Sequence, residues 1–148
     1  MKVLYNNKKA YFENFVEDTI EVGIVLEGSE VKSCRLGHVS LVDSFVTIQQ
    51  NEVFLKNAYI KNYEKAVNFA PNETRSRKLL LNKLEILKLK RKKEEKGYTL
   101  IPTKVYINDK NLIKVEIGLC RGKKLYDKRE TIKERDVKRN IDRELKNF

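Results

Sequence analysis

The sequence predicts a mainly β domain, a small barrel of about six short strands with short flanking helices, followed by a basic tail. Three observations carry that expectation. Most apolar runs are short, rich in β-branched residues and partly alternating, as half-buried strands are. Only one longer segment, after Asn82, has the start and stop signals of a helix. Beyond Cys120 regular apolar patterning gives way to a charged stretch.

The elements follow in order. Asp18 to Leu26 is β-branched and reads as a strand, and Ser29 to Leu36, ending at Gly37, as a short helix. Leu41 to Gln49 and Val53 to Ile60 flank Gln50-Asn51-Glu52 and predict a hairpin. Ala70 to Thr74 is loop. Asn82 with Glu85 three residues on forms a capping-box signal for a helix running to about Lys96, with Leu84, Leu87 and Arg91 on one face. Lys90, Arg91, Lys92, Lys93 and Lys96 complement its dipole, and Gly97 is the expected stop. Tyr98 to Ile107 and Leu112 to Cys120 predict a second hairpin, in which Pro102 favours an edge position. Short antiparallel strands with a helix between the fourth and fifth make an OB-type closed barrel the natural candidate.

Residues 1–121 are thus expected as the barrel body and 122–148 as a separate tail. In the tail Val137, Ile141 and Leu145 form the only regular apolar stripe. One residue per turn does not offset the entropy of ordering a helix in water, so the tail is expected to be disordered alone and helical once a surface covers it.

Charge narrows the function. The 148 residues hold 32 Lys+Arg and 21 Asp+Glu, a net charge of +11, and 36% are charged against a usual ~25%. The excess is local: residues 75–96 carry a net +7 and 121–148 a net +5, whereas 1–74 carry −2 and 97–120 carry +1. Two basic blocks beside a near-neutral body are a footprint for a polyanion. The longest near-apolar run, Ile20 to Leu26, is far too short to span a bilayer, and no secretory leader is recognised at the N-terminus. Cys34 and Cys120 have no metal-ligand spacing and are expected as free thiols in a cytoplasmic protein. His38 has no partner predictable from spacing, and no P-loop, HExxH, GxGxxG or CxxC is present. Neither enzyme, metal nor cofactor is expected.

Several segments, in order, resemble the SsrA-binding protein family (small protein B), the bacterial partner of transfer-messenger RNA. They are Glu21-Val-Gly-Ile, Gly28-Ser-Glu-Val-Lys-Ser-Cys-Arg35, Asp43-Ser-Phe45, Arg75-Ser-Arg-Lys-Leu-Leu-Leu-Asn82, Gly97-Tyr-Thr, Lys114-Val-Glu-Ile-Gly118, Arg121-Gly-Lys-Lys-Leu-Tyr-Asp-Lys-Arg129 and Ile132-Lys-Glu-Arg-Asp136. The resemblance implies an OB-type barrel that holds the tRNA-like domain of transfer-messenger RNA and enters a ribosome stalled on an mRNA without a stop codon. It implies that the tail enters the empty mRNA channel, and that alanyl-transfer-messenger RNA arrives with elongation factor Tu. The protein would be a monomeric adaptor and not a catalyst.

By the same resemblance Glu21, Leu80, Asn82 and Lys114 match RNA-binding positions, and Arg35, Arg75, Arg77 and Lys78 join them on charge and sequence proximity. By residue type alone Leu80 reads as core, Asn82 as a cap, and Glu21 and Lys114 as solvated strand residues. In the tail Gly122, Lys123 and Lys124 resemble a hinge and ribosome contact, and Asp127, Lys128 and Arg129 the strongest tail motif. Lys133, Arg135, Lys138 and Arg139 are expected to meet phosphates, and Leu145 matches an apolar tail position. Asn7 to Phe15 departs from the family pattern, lacking its usual histidine and Asp-Tyr-Phe ending. A ribosomal or assembly RNA-binding protein without a rescue role is the competing reading, and a nuclease on a barrel scaffold a third.

Overall fold

Residues 1–62 and 72–122 are described by the computed structural model. The chain runs β1 (Lys2–Asn6), α1 (Lys8–Glu13), β2 (Asn14–Ile24), α2 (Gly28–Arg35), β3 (Val39–Ser40), β4 (Phe45–Gln49), β5 (Glu52–Lys56), β6 (Tyr59–Ile60), β7 (Arg77–Leu80), α3 (Lys83–Lys96), β8 (Thr99–Ile107) and β9 (Ile113–Gly122). Seven strands form one antiparallel sheet in the order β1-β8-β9-β2-β7-β5-β4, and β3 pairs with β6 as a separate ribbon. The sheet curls so that β4, last in that order, lies against β8. Inside sit Val22, Leu41, Val53, Leu55, Leu79, Leu100, Val115 and Ile117, each nearly inaccessible. The fold is mainly β, as expected, with three helices at its margin among the described residues.

The capping arithmetic for α3 holds. The Asn82 side chain accepts from the Glu85 N–H at 2.8 Å, and the Asn82 N–H donates to Glu85 Oε1 at 3.0 Å. Gly97 closes the helix at φ +66°, its N–H on the Lys93 carbonyl at 2.9 Å. The face holding Leu84, Leu87 and Arg91 points outward: Leu84 is 70% exposed, while Leu89 is buried and Ile86 half-buried.

Several boundaries differ from the sequence expectation. The first hairpin is tighter, with Gln50 and Asn51 both at positive φ between the paired Gln49 and Glu52, the two-residue turn that suits twisted strands. Its long flanking runs are each broken, because Asp43 and Asn57 take φ of 60° and 62°, a conformation short polar side chains tolerate. Beyond the break at Asn57 the second run continues as β6, which pairs with β3, a two-residue strand just ahead of the first run.

Pro102 is not on an edge strand, since β8 lies between β1 and β9. It is accommodated because β1 pairs only with residues 104–107 and a bulge separates Pro102 from Lys104. The Asn7 side chain takes up the Pro102 carbonyl there at 2.9 Å. β1, α1 and β7 were not anticipated. β7 alternates buried Arg77, exposed Lys78, buried Leu79 and exposed Leu80, and an arginine at an inward position disguises the period.

Both cysteines are buried and unpaired, and burial pushes the Cys34 thiol up to about 12 and the Cys120 thiol up to about 11. They are protonated core residues at neutral pH. No helix among the described residues is long and apolar enough to cross a membrane. The expectations for the tail beyond Gly122, including the Val137, Ile141 and Leu145 stripe, fall outside the described residues.

Candidate nucleic-acid interface

Strand register gathers the anticipated residues. Leu80 on β7 pairs with Gly23 on β2, Gly23 with Lys114 on β9, and Lys114 with Tyr106 on β8. These four positions form one row straight across four hydrogen-bonded strands. Glu21 lies two residues before Gly23 on the same face, opposite Glu116. Leu80 is 54% exposed and therefore not core. Gly23 makes room for it: a Cβ there would stand 3.3 Å from the Leu80 side chain.

Arg35, the last residue of α2, reaches across the row's end to the β8–β9 turn. Its Nη1 and Nη2 donate to the Asn111 side chain and carbonyl, both at 3.2 Å. Gly23, Arg35, Leu80, Asn111, Leu112 and Lys114 line an open groove of about 270 Å³. Asn82 follows two residues after Leu80, its amide oxygen already committed to the α3 cap. Lys78, also outward on β7, lies 3.7 Å from Glu52 and half exposed.

Glu21 is an acceptor held in place. The Tyr106 hydroxyl donates to it, and the tyrosine pKa is raised by burial first and then by that carboxylate. Glu116 beside it is taken by the Thr103 hydroxyl at 2.6 Å and lies 3.7 Å from Lys104. The face therefore offers two cations, Arg35 and Lys114, for phosphate, an apolar platform at Leu80, and a fixed acceptor at Glu21 for a ribose or base donor.

Two of the anticipated arginines turn inward. Arg77 is fully buried; its Nε donates to Glu30 Oε2 at 2.8 Å, and its Nη1 and Nη2 to the carbonyls of Ala58 and Glu73 at 2.7 and 3.1 Å. Arg75 meets the other oxygen of Glu30 at 2.6 Å. Every fork of Arg77 is occupied within the fold, so its guanidinium supports the groove from beneath and is not free for phosphate. Burial pushes the Glu30 carboxyl up, but hydrogen bonds from Arg75, the Glu27 N–H and Arg77 prevail and hold it below the usual range. Glu30 thus ties α2, which carries Arg35, to β7, which carries Leu80.

Glu30, Gly23, Tyr106 and Asn111 were missed from sequence. A legible signal existed for Tyr106: Lys104 and Tyr106 alternate on β8 opposite Lys114 and Glu116 of the expected hairpin. Gly122 ends β9 paired with Asn14. Lys123, Lys124, Asp127, Lys128, Arg129, Lys133, Arg135, Lys138, Arg139 and Leu145 lie outside the described residues.

A family model described as SmpB protein matches residues 4–147. An SsrA-binding protein of Thermoanaerobacter pseudethanolicus is 52% identical over 146 residues, covering 99% of this chain and 93% of that protein. One from Caldicellulosiruptor bescii is 51% identical over 148 residues, covering 100% and 93%. The fold is similar, at a TM-score of 0.69 and 42% identity over 83% of this chain and 85% of the other, to a chain solved in work described as "tmRNA-SmpB: a journey to the center of the bacterial ribosome". A match of this length and identity leaves one assignment: the chain belongs to the SmpB family of SsrA-binding proteins.

Proposed function

We propose that this chain is a cytoplasmic RNA-binding adaptor that holds transfer-messenger RNA and brings it to stalled ribosomes for rescue. The observation that carries the reading is the row Leu80, Gly23, Lys114 and Tyr106, with Glu21 and Arg35 beside it, in a member of this family. Arg35, Lys78 and Lys114 take phosphates, Leu80 packs on a ribose or base, and Glu21 and the amide nitrogen of Asn82 meet polar groups of the RNA. Arg75 and Arg77 act through Glu30. The surface binds and shapes RNA without performing chemistry on it.

Residues 122–148 serve a second step. Gly122, Lys123 and Lys124 let the tail swing, and Asp127, Lys128, Arg129, Lys133, Arg135, Lys138, Arg139 and Leu145 engage the ribosomal mRNA channel, whose RNA walls attract its net +4. One copy of the chain travels with one RNA, charged with alanine and delivered by elongation factor Tu.

Binding measured by gel shift across salt concentrations tests the RNA step. Four to six phosphate contacts give a log–log slope of roughly −3 to −5. Lys114→Ala weakens binding and lowers the magnitude of that slope by about 0.7–0.9, the share of one contact. A slope near zero in the unaltered protein contradicts the reading. For the tail, Leu145→Asp is expected to spare RNA affinity and abolish peptide tagging on ribosomes stalled without a stop codon; equal loss of both excludes a separate second step.

A further inference from the structure

With Arg75 and Arg77 committed to Glu30, most of the positive charge of residues 75–96 falls on α3. That helix holds seven basic and three acidic residues, a net +4. Lys92 is paired with Asp18 at 3.0 Å, and the other α3 cations have no ion-pair partner among the described residues. The helix dipole accounts for Lys93 and Lys96 in the last turn. It does not account for Lys83, the first residue of the helix, where the dipole opposes a cation, nor for Lys88 in the middle.

The outward stripe is unusual in a second respect. At about 100° per residue, Lys83, Leu87, Arg91, Leu84 and Lys88 fall within an arc of about 140°. All five are exposed, Leu84 at 70% and Leu87 at 54%, while Leu89 on the opposite side is buried. Two leucines thus stand in water between three cations. The face contains no aromatic side chain, so it has nothing on which to stack an unpaired base. What it can meet is a backbone: phosphates through the cations, and the shallow ribose-lined groove of a paired RNA through the leucines.

The stripe is also continuous with the groove. Asn82, two residues after Leu80, caps α3, and the helix runs on from there for 14 residues, about 21 Å.

We propose that the outward face of α3 is a second RNA contact, on which Lys83, Lys88 and Arg91 meet phosphates and Leu84 and Leu87 lie against riboses of a base-paired arm of the same transfer-messenger RNA. The inference rests on the functional reading above and extends its surface beyond the row. Glu94 and Glu95 end the cationic stretch near the C-terminus of the helix.

The test uses the full-length protein in gel shifts with transfer-messenger RNA across salt concentrations, together with peptide tagging on stalled ribosomes. Lys88→Ala/Arg91→Ala is expected to weaken RNA binding roughly three- to tenfold and to lower the magnitude of the salt slope by about 1.4–1.8, the share of two contacts. Leu84→Ser/Leu87→Ser is expected to weaken binding about two- to fivefold and leave the slope unchanged. All four side chains are exposed, and a thermal melt confirms that the fold is kept. Excess short RNA duplex should compete better against the unaltered protein than against Lys88→Ala/Arg91→Ala, while single-stranded RNA of the same length shows no such difference. The reverse preference would overturn the base-paired occupant. Unchanged RNA affinity with slowed tagging would assign the face to the ribosome, and unchanged affinity with unchanged tagging would leave it a solvated surface; either overturns the proposal. Lys114→Ala is the reference: if it weakens binding while the α3 variants do not, this proposal alone fails, and if all are silent the functional reading fails with it.

Discussion

Glu30→Ala is expected to destabilise the folded body by about 3–5 kcal/mol, because it leaves the buried Arg77 guanidinium without its counter-charge. Chemical denaturation followed by circular dichroism measures this. Glu30→Gln keeps the shape and part of the hydrogen bonding and should cost less, while still removing the charge. The pH dependence has a definite sign. Glu30 has a lowered native pKa, so its contribution is fully present above the ordinary carboxyl value of 4.5 and is lost as pH falls through the native value. The unaltered protein should therefore lose stability below about pH 4.5, and Glu30→Gln should flatten that part of the profile. An Ala variant as stable as the unaltered chain would mean that water, and not Glu30, satisfies the two arginines.

Leu80→Asp is expected to weaken RNA binding by roughly fivefold or more, about 1–3 kcal/mol, with little loss of fold. Leu80 is more than half exposed, so the substitution buries no charge, but it places a carboxylate within the groove beside Lys114. The carboxylate repels phosphate and occupies the neighbouring cation. Gel-shift affinity with a parallel thermal melt separates the two effects. Unchanged affinity would exclude this face from the interface, and a collapsed melt would mean that Leu80 supports the sheet after all.

The fold was legible where local chemistry decides conformation. Asn82, Glu85 and Gly97 fix α3 without help from the rest of the chain, and the turn about Asn108–Asn111 fixes the β8–β9 hairpin. It was illegible where tertiary contacts decide. Arg77 faces inward only because Glu30, Ala58 and Glu73 converge on it from elsewhere, and that inversion hid β7. Asp43 and Asn57 interrupt apolar runs that read as continuous strands, since a positive φ leaves no mark on hydrophobic periodicity. The site divides the same way. Glu21, Leu80, Asn82 and Lys114 came from motif resemblance, whereas the partners that hold the site, Glu30, Tyr106 and Asn111, emerge only when strand register brings them together. Charge alone misled for Arg75 and Arg77, which sequence counts as surface cations and the fold spends on Glu30.

The central claim, that this chain carries transfer-messenger RNA, is tested most directly by purifying the full-length protein from a lysate of the cells that make it and sizing the RNA that comes with it. One stable species longer than any tRNA, ending in a tRNA-like domain and lost when Lys114 and Leu80 are replaced together, is the expected result. Ribosomal RNA fragments in its place, or an RNA yield indifferent to those two replacements, would contradict it.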